Sequence, residues 1–284
     1  MNFLTVEGLG AGYGGRTVLR GVDFSLEAGS LVGLLGANGS GTTTLLKAIC
    51  GILPHTGRCV LEGAPLESLR PRELALRCGY IPQRSGIDID ISVLDVVLMG
   101  FNPRLGLLQR PTAAMRAAAA DALARVGLAG REEENYRQLS EGQRQLCILA
   151  RTLAAGAGLL LLDEPESALD LRHRTRMLAL LRRWVQTGRR GALAALHDPG
   201  LALNGCDRLL VLADGRVQAV LDPAADSLER MEAALSALYG PVSLQRCRSR
   251  SGTEQIVLLK EPEPPGPGEG RGADAAAHQG PDPG

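Results

Sequence analysis

Residues 36–44 read GANGSGTTT, a run whose residue types and spacing suit the holding of phosphate. Gly36, Gly39 and Gly41 let the backbone curl so that successive N–H groups face one point. A helix starting at Thr42 aims its N-terminal dipole at the same place. Asn38, Ser40 and Thr44 complete the loop, and Thr43 supplies a hydroxyl where a divalent cation on the phosphates needs a ligand. One charge is missing, because such a loop ordinarily carries lysine where this chain has Thr42. Further along, Asp163 and Glu164 follow the apolar run GLLLL. There the first can hold a hydrated Mg²⁺ and the second can polarise a water against a terminal phosphate. His197 follows a second apolar run, GALAAL, where its ring can hydrogen-bond a phosphate oxygen and relay its presence.

These groups need a scaffold that presents them at one edge. SLVGLLG (30–36) reads as a short buried strand, and TTTLLKAICG (42–51) as a helix closed by Gly51. GLLLLDEP (158–165) and GALAALHDP (191–199) are uniformly apolar up to their ionisable ends. Such runs suit a parallel sheet covered on both faces, with chemistry at the strand ends. LRHRTRMLALLRRWVQTG (171–188) has helical periodicity, with Trp184 in an apolar stripe beside Leu180 and Leu181 and the arginines on a solvated face. The stretch from about 85 to 155 differs: no convincing strand falls between Ile91 and Leu153, and AAMRAAAADALARVGL (113–128) is strongly helical. It is expected to be a helical insert in the α/β fold. The first ~30 residues alternate in strand fashion with Gly-rich turns, predicting an antiparallel β-portion beside the loop. Residues 1–240 therefore read as one domain, 241–260 as a terminal hairpin around SGTE, and 261–284, rich in Pro and Gly, as a disordered tail.

Composition bounds the partners. With 45% hydrophobic residues in 284, the chain is rich enough in apolar side chains for a packed α/β core. Lys+Arg and Asp+Glu are both 31, so net charge gives no reason to expect nucleic acid or an anionic membrane as the main partner. The six cysteines (Cys50, Cys59, Cys78, Cys147, Cys206, Cys247) form no CxxC pair and are expected to be small core residues in a reducing compartment. No run approaches the roughly 20 apolar residues that span a bilayer, and the first residues do not read as a secretory leader. The expectation is a cytosolic protein tied to any membrane through a partner.

Six ordered strings carry a resemblance. LSEGQRQ (139–145) resembles the signature of ABC-type ATPases, usually LSGGQ, with Glu141 in place of a glycine. LLLLDEP (159–165) looks like that family's Walker B strand, SALD (167–170) its D-loop, LHD (196–198) its switch histidine and YIPQ (80–83) its Q-loop. Tyr13 in GYGG sits where the family stacks an aromatic on adenine. The resemblance runs from about Phe3 to about Val220. It implies an α/β P-loop NTPase of the ABC-cassette type, with a RecA-like core sheet, an antiparallel β-portion and a helical insert. It also implies ATP and Mg²⁺ as cofactors, with Glu164, His197 and Gln83 catalytic and Thr43, Gln83 and Asp163 at the metal. Ser140, Gly142, Gln143 and Asp170 would then serve nucleotide across a head-to-tail dimer.

SVLDVVLMGFNPRLGLL (92–108) and LYGPVSL (238–244) are similar to segments of the ATPases of iron-chelate, haem and cobalamin importers. One cassette without a membrane span further implies separate permease subunits, an indirectly engaged substrate-binding protein, and a place on the cytoplasmic face of the plasma membrane. Thr42 complicates the activity. Losing a charge-assisted hydrogen bond costs about 1.5–3 kcal/mol, a deficit of roughly 10- to 150-fold. Lys47 is no substitute, since it lies five residues, or roughly 500° of helical turn, further along and points away from the loop. Two readings stay open: an ATP-hydrolysing importer subunit impaired or compensated at Thr42, and a nucleotide-binding subunit that does not hydrolyse.

Overall fold

The computed structural model describes residues 2–84, 86–106 and 108–262. The predicted tail lies outside the described residues from 263 onward. Strands β1 (Asn2–Tyr13) and β2 (Arg16–Glu27) form an antiparallel hairpin, and β4 (His55–Leu61) and β5 (Ala64–Pro65) extend it to the order β2-β1-β4-β5. The second sheet contains β3 (Leu31–Gly36), β6 (Cys78–Ile81), β7 (Leu159–Asp163), β8 (Gly191–Ala195), β9 (Arg208–Ala213) and β10 (Arg216–Leu221) in the order β10-β9-β3-β8-β7-β6. Its strands are parallel except β10, which pairs antiparallel with β9.

The apolar runs explain why this sheet is sealed on both faces. Every residue of β7 and β8 is buried. Because successive side chains point to opposite faces, Leu161 and Leu193 join a core with Phe3, Leu4 and Leu45 under the antiparallel sheet. Leu160, Leu162, Ala192 and Ala194 join a second core with Tyr136, Leu149, Leu181 and Trp184 on the helical side. At about 1.5–3 kcal/mol for each large side chain buried, the two layers fix the strand order and so the order of the strand ends.

The helices are α1 (Thr42–Ile49), α2 (Pro71–Arg77), α3 (Val93–Leu98), α4 (Ala113–Val126), α5 (Glu141–Ala155), α6 (Leu171–Val185), α7 (Pro199–Gly205) and α8 (Leu228–Tyr239). Among the described residues no strand lies between Ile91 and Leu153; helices and turns occupy that stretch, pinned by a single bridge between Ser92 and Asn135. Thr112 caps α4 by accepting from the Met115 N–H at 3.2 Å, and Gly127 ends it with φ +86°. α1 runs to Ile49 with Cys50 as its cap, and Gly51, at φ +71°, closes it as expected, its N–H donating to the Ala48 carbonyl at 3.1 Å. One helix end differs from the sequence expectation: α6 stops at Val185, before Gly188. The cysteines also need correcting: four are buried, Cys50 is half-buried, and Cys247 is exposed on a terminal strand. No helix among the described residues is long and apolar enough to cross a membrane.

That terminal strand, β11 (Val242–Arg248), pairs with β12 (Glu254–Lys260) in a hairpin separate from both sheets. Asn204 of α7 holds it, donating to the Ile256 carbonyl and accepting from the Ile256 N–H, each at 2.8 Å. The side chain thus mimics a strand edge. Replacing Asn204 with Ala should speed hydrogen exchange at the Ile256 amide by tenfold or more while leaving amides of β7 and β8 unchanged. A protected Ile256 in that variant would mean the hairpin is held by its apolar contacts alone.

Candidate nucleotide site

The parallel register gathers the site. The loop leaves the end of β3, His197 follows β8, Asp163 and Glu164 close β7, and Gln83 follows β6. These four strands are consecutive neighbours, roughly 4.8 Å apart. Ligands of open α/β sheets bind outside such carboxyl ends.

Within the loop, Gly39 and Gly41 take φ of +81° and +105°, the left-handed region that glycine enters without a Cβ penalty. Gly36 is required by crowding, since a Cβ there would stand 2.2 Å from Ser40 Oγ and 3.1 Å from the Leu212 carbonyl. The loop is tied off by the Ser40 N–H donating to the Ala37 carbonyl at 2.9 Å. Ser40 Oγ is buried with no hydrogen-bond partner among the described residues. A buried hydroxyl in that state costs about 1–3 kcal/mol unless a ligand satisfies it. The curled glycines, the orphaned hydroxyl and the start of α1 together fit a polyphosphate.

Asp163 is 2% exposed and accepts two hydroxyl hydrogen bonds, from Thr43 Oγ1 at 2.9 Å and from the Tyr80 phenol at 3.0 Å. Burial, and then the Asp163 charge, push the Tyr80 phenol well above its ordinary range, so it stays a donor. Thr43 and Asp163 form an oxygen pair of the kind Mg²⁺ takes. Tyr80 lies within the YIPQ string, but no sequence pattern signals that its hydroxyl meets Asp163.

Glu164 is one residue beyond and faces elsewhere. Its backbone adopts φ +50°, a strained conformation for a non-glycine residue that costs about 1–3 kcal/mol, and its N–H donates to the Ala195 carbonyl at 3.1 Å. The turn sends its carboxylate between two other predicted residues. Oε1 lies 2.8 Å from His197 Nε2, and Oε2 accepts from Gln83 Nε2. Behind this trio sits Glu166, 1% exposed, whose Oε1 accepts from the His197 backbone N–H at 2.7 Å. Its Oε2 has no partner among the described residues, and burial raises its carboxyl above the usual range. Nothing in the sequence pattern separated this Glu from a solvated strand end.

A cleft of about 1040 Å³ opens over the loop. Tyr13, 48% exposed, and residues 37–44 line it, as do Arg16 and Arg20, which sequence reading did not single out. The other predicted residues stand apart from it. Ser140 caps α5 and exchanges hydrogen bonds with Gln143, accepting from its N–H at 3.3 Å and donating its own N–H to Gln143 Oε1 at 3.0 Å. Gly142 packs so close to the Ala168 carbonyl that a Cβ would stand 2.9 Å from it. Asp170 caps α6, accepting from the His173 N–H at 2.8 Å. None of Ser140, Gly142, Gln143 or Asp170 lines the cleft, and neither do Gly36, Gln83, Asp163, Glu164 and His197, which stand at the strand ends beside it.

Comparison with known proteins agrees with this anatomy. Residues 19–167 match the family model described as ABC transporter. Among curated relatives, the hemin import ATP-binding protein HmuV of Jannaschia sp. (strain CCS1) is 39% identical over 245 residues, 84% of this chain and 87% of that protein. The cobalamin import ATP-binding protein BtuD of Halobacterium salinarum is 37% identical over 215 residues, 75% of this chain and 54% of that protein. A structure described as an inward-facing conformation of a metal-chelate type ABC transporter superposes with a TM-score of 0.77 at 27% identity, covering 92% of this chain and 99% of that one. The chain belongs to the ATP-binding family of ABC transporters and is an ABC-type ATPase domain.

Glu166 yields a pH test. A carboxyl whose pKa is raised by folding adds stability below its ordinary value of 4.5, and that contribution is lost as pH rises through the raised value. Glu166→Gln cannot ionise, so its stability relative to the unmodified chain should increase between pH 4.5 and pH 7.5 in urea denaturation. A pH-independent difference would show that the buried carboxyl carries no such cost.

Proposed function

We propose that this chain is the ATP-binding and ATP-hydrolysing subunit of an importer for a metal chelate, docked through a separate permease at the cytoplasmic face of the membrane. The observation that carries the reading is the Thr43–Asp163 hydrogen bond, which joins the phosphate loop to the strand-end carboxylate in a chain of the ABC family. Residues 1–240 act as the cassette, with the insert at about 85–155 toward the permease and the 241–260 hairpin as an extension.

Tyr13 stacks the base, and Gly36, Asn38, Gly39, Ser40, Gly41, Thr42, Thr43 and Thr44 cradle the phosphates. Thr43, Gln83 and Asp163 would hold Mg²⁺, which when bound offsets phosphate charge. Glu164 accepts a proton from the attacking water, and His197 and Gln83, both already on its carboxylate, orient it. Ser140, Gly142 and Gln143 at the start of α5, and Asp170 at the start of α6, serve the nucleotide of a second chain, so two copies, or this chain and a related one, close over ATP. The names of the relatives favour haem or cobalamin as cargo, and iron-siderophore complexes belong to the same chemical class.

Thr42 favours a second reading, a nucleotide-binding subunit with an assembly or regulatory role and no turnover of its own. Its side chain is neutral and short, and its methyl group lies 3.0 Å from where a Cβ on Gly36 would stand, folded on the base of the loop. With the permease in vesicles, Thr42→Lys should raise ATP hydrolysis at least tenfold over a slow basal rate, and Glu164→Gln should abolish it. Equal rates for Thr42→Lys and the unmodified chain would overturn the account of the missing lysine. Measurable hydrolysis lost in Glu164→Gln supports the motor reading; its absence in every form supports the second. Uptake assays with haem, cobalamin and an iron-siderophore decide the cargo.

A further inference from the structure

The cleft over the loop holds two cations that the loop itself lacks. Arg16 and Arg20 of β2 both line it and both are exposed. Among the described residues neither guanidinium has a hydrogen bond or a carboxylate partner. Elsewhere among the described residues arginines are paired with acids, as Arg70, Arg182 and Arg230 are. Two free guanidiniums in one cleft leave it cationic although its loop is not.

Geometry separates the two. Gly14 and Gly15, with φ of +54° and +82°, make a two-residue turn that sets Arg16 directly opposite Tyr13 across the hairpin. Residues opposite one another in an antiparallel pair project to the same face, with Cβ atoms roughly 5 Å apart. Two residues on, Val18 meets the loop, its Cγ1 3.1 Å from where a Cβ on Gly41 would stand. A nucleotide with its base on Tyr13 and its phosphates on the loop must therefore run past Arg16. Arg20 lies beyond this path: its N–H donates to the Gly215 carbonyl at 2.9 Å, beside Asp214, the acid that lines the cleft.

We infer that Arg16 supplies the cation for nucleotide binding that Thr42 does not, contacting the phosphate nearest the ribose. This rests on the nucleotide reading above. The position has a consequence for the reaction. A loop lysine serves both the bound phosphates and the charge that develops at the terminal phosphate, whereas a guanidinium beside the base reaches only the near end. Arg16 thus restores affinity and leaves the chemical step uncompensated. Binding and turnover, joined in one lysine elsewhere, are divided here.

The test is Mg-ATP and Mg-ADP titration of the full chain by calorimetry, with steady-state hydrolysis measured on the same preparations. Arg16→Ala should weaken both nucleotides at least tenfold and flatten the salt dependence of Kd, with kcat changed less than threefold. Arg16→Lys, which keeps the charge, should stay within about threefold of the unmodified Kd. Because Arg16 is exposed and its guanidinium has no hydrogen bond or ion pair among the described residues, the variants should fold normally, checked by their melting temperatures. An Arg16→Ala Kd within threefold of the unmodified chain, or Arg16→Lys no better than Arg16→Ala, overturns this inference alone. No nucleotide uptake by the unmodified chain overturns the underlying reading as well.

Discussion

The Asp163 carboxylate is the constraint on which the site depends. It sits at the end of a strand with no exposed residue, and two hydroxyls approach it from different elements, Thr43 from the first turn of α1 and Tyr80 from β6. A buried carboxylate is tolerable only where its oxygens are satisfied. The hydrogen bonds that satisfy this one also fix the loop against β7 and β6 against β7. The loop's conformation, the strand order and the placement of a metal-ligating oxygen pair are thus a single arrangement, and a shift in any strand would leave an acid buried without partners.

One residue further, the backbone has to turn away. Glu164 does so at positive φ, and the strain serves to separate two adjacent acids that need different surroundings. Asp163 remains inside with hydroxyls, while Glu164 emerges between His197 and Gln83. The His197 backbone is in turn held by Glu166, an acid with one oxygen bonded and the other orphaned. Three acids within four residues therefore occupy three environments: sealed and satisfied, emergent and paired, and sealed but half satisfied.

Much of this was legible in the sequence where covalent order carries the information. The loop glycines, the apolar runs and the ionisable residues that end them are contiguous, so their placement along one sheet edge follows once the runs are read as buried parallel strands. What was not legible depends on register and packing. Tyr80 reaches Asp163 because β6 pairs in parallel with β7, with Ile81 opposite Leu162. Arg16 faces the cleft because a two-residue turn sets it against Tyr13. Strand β4 joins β1 although its sequence, HTGRCVL, alternates poorly: Gly57, with φ +86°, has no Cβ where one would stand 2.5 Å from the Glu7 and Gly8 carbonyls, at the point where the β1–β4 register shifts. Cys247 departs from the expectation of buried cysteines because the terminal hairpin has only one apolar face to bury, and Ile256 and Leu244 occupy it.

The separation of the signature residues from the cleft bears on how an altered loop could persist. Ser140 and Gln143 form a closed capping box, and Gly142 is wedged against the Ala168 carbonyl. The partners of these residues all lie within 140–169, and none belongs to the loop. If these residues serve the nucleotide of another copy, as proposed above, a chain with a weakened loop still lends an intact surface to its partner. A pair in which only one loop carried lysine would then combine one fully equipped site with one that holds nucleotide as a structural element. In that arrangement, substitution of a single loop residue would remove a charge from one site and leave the contribution to the opposite site unchanged.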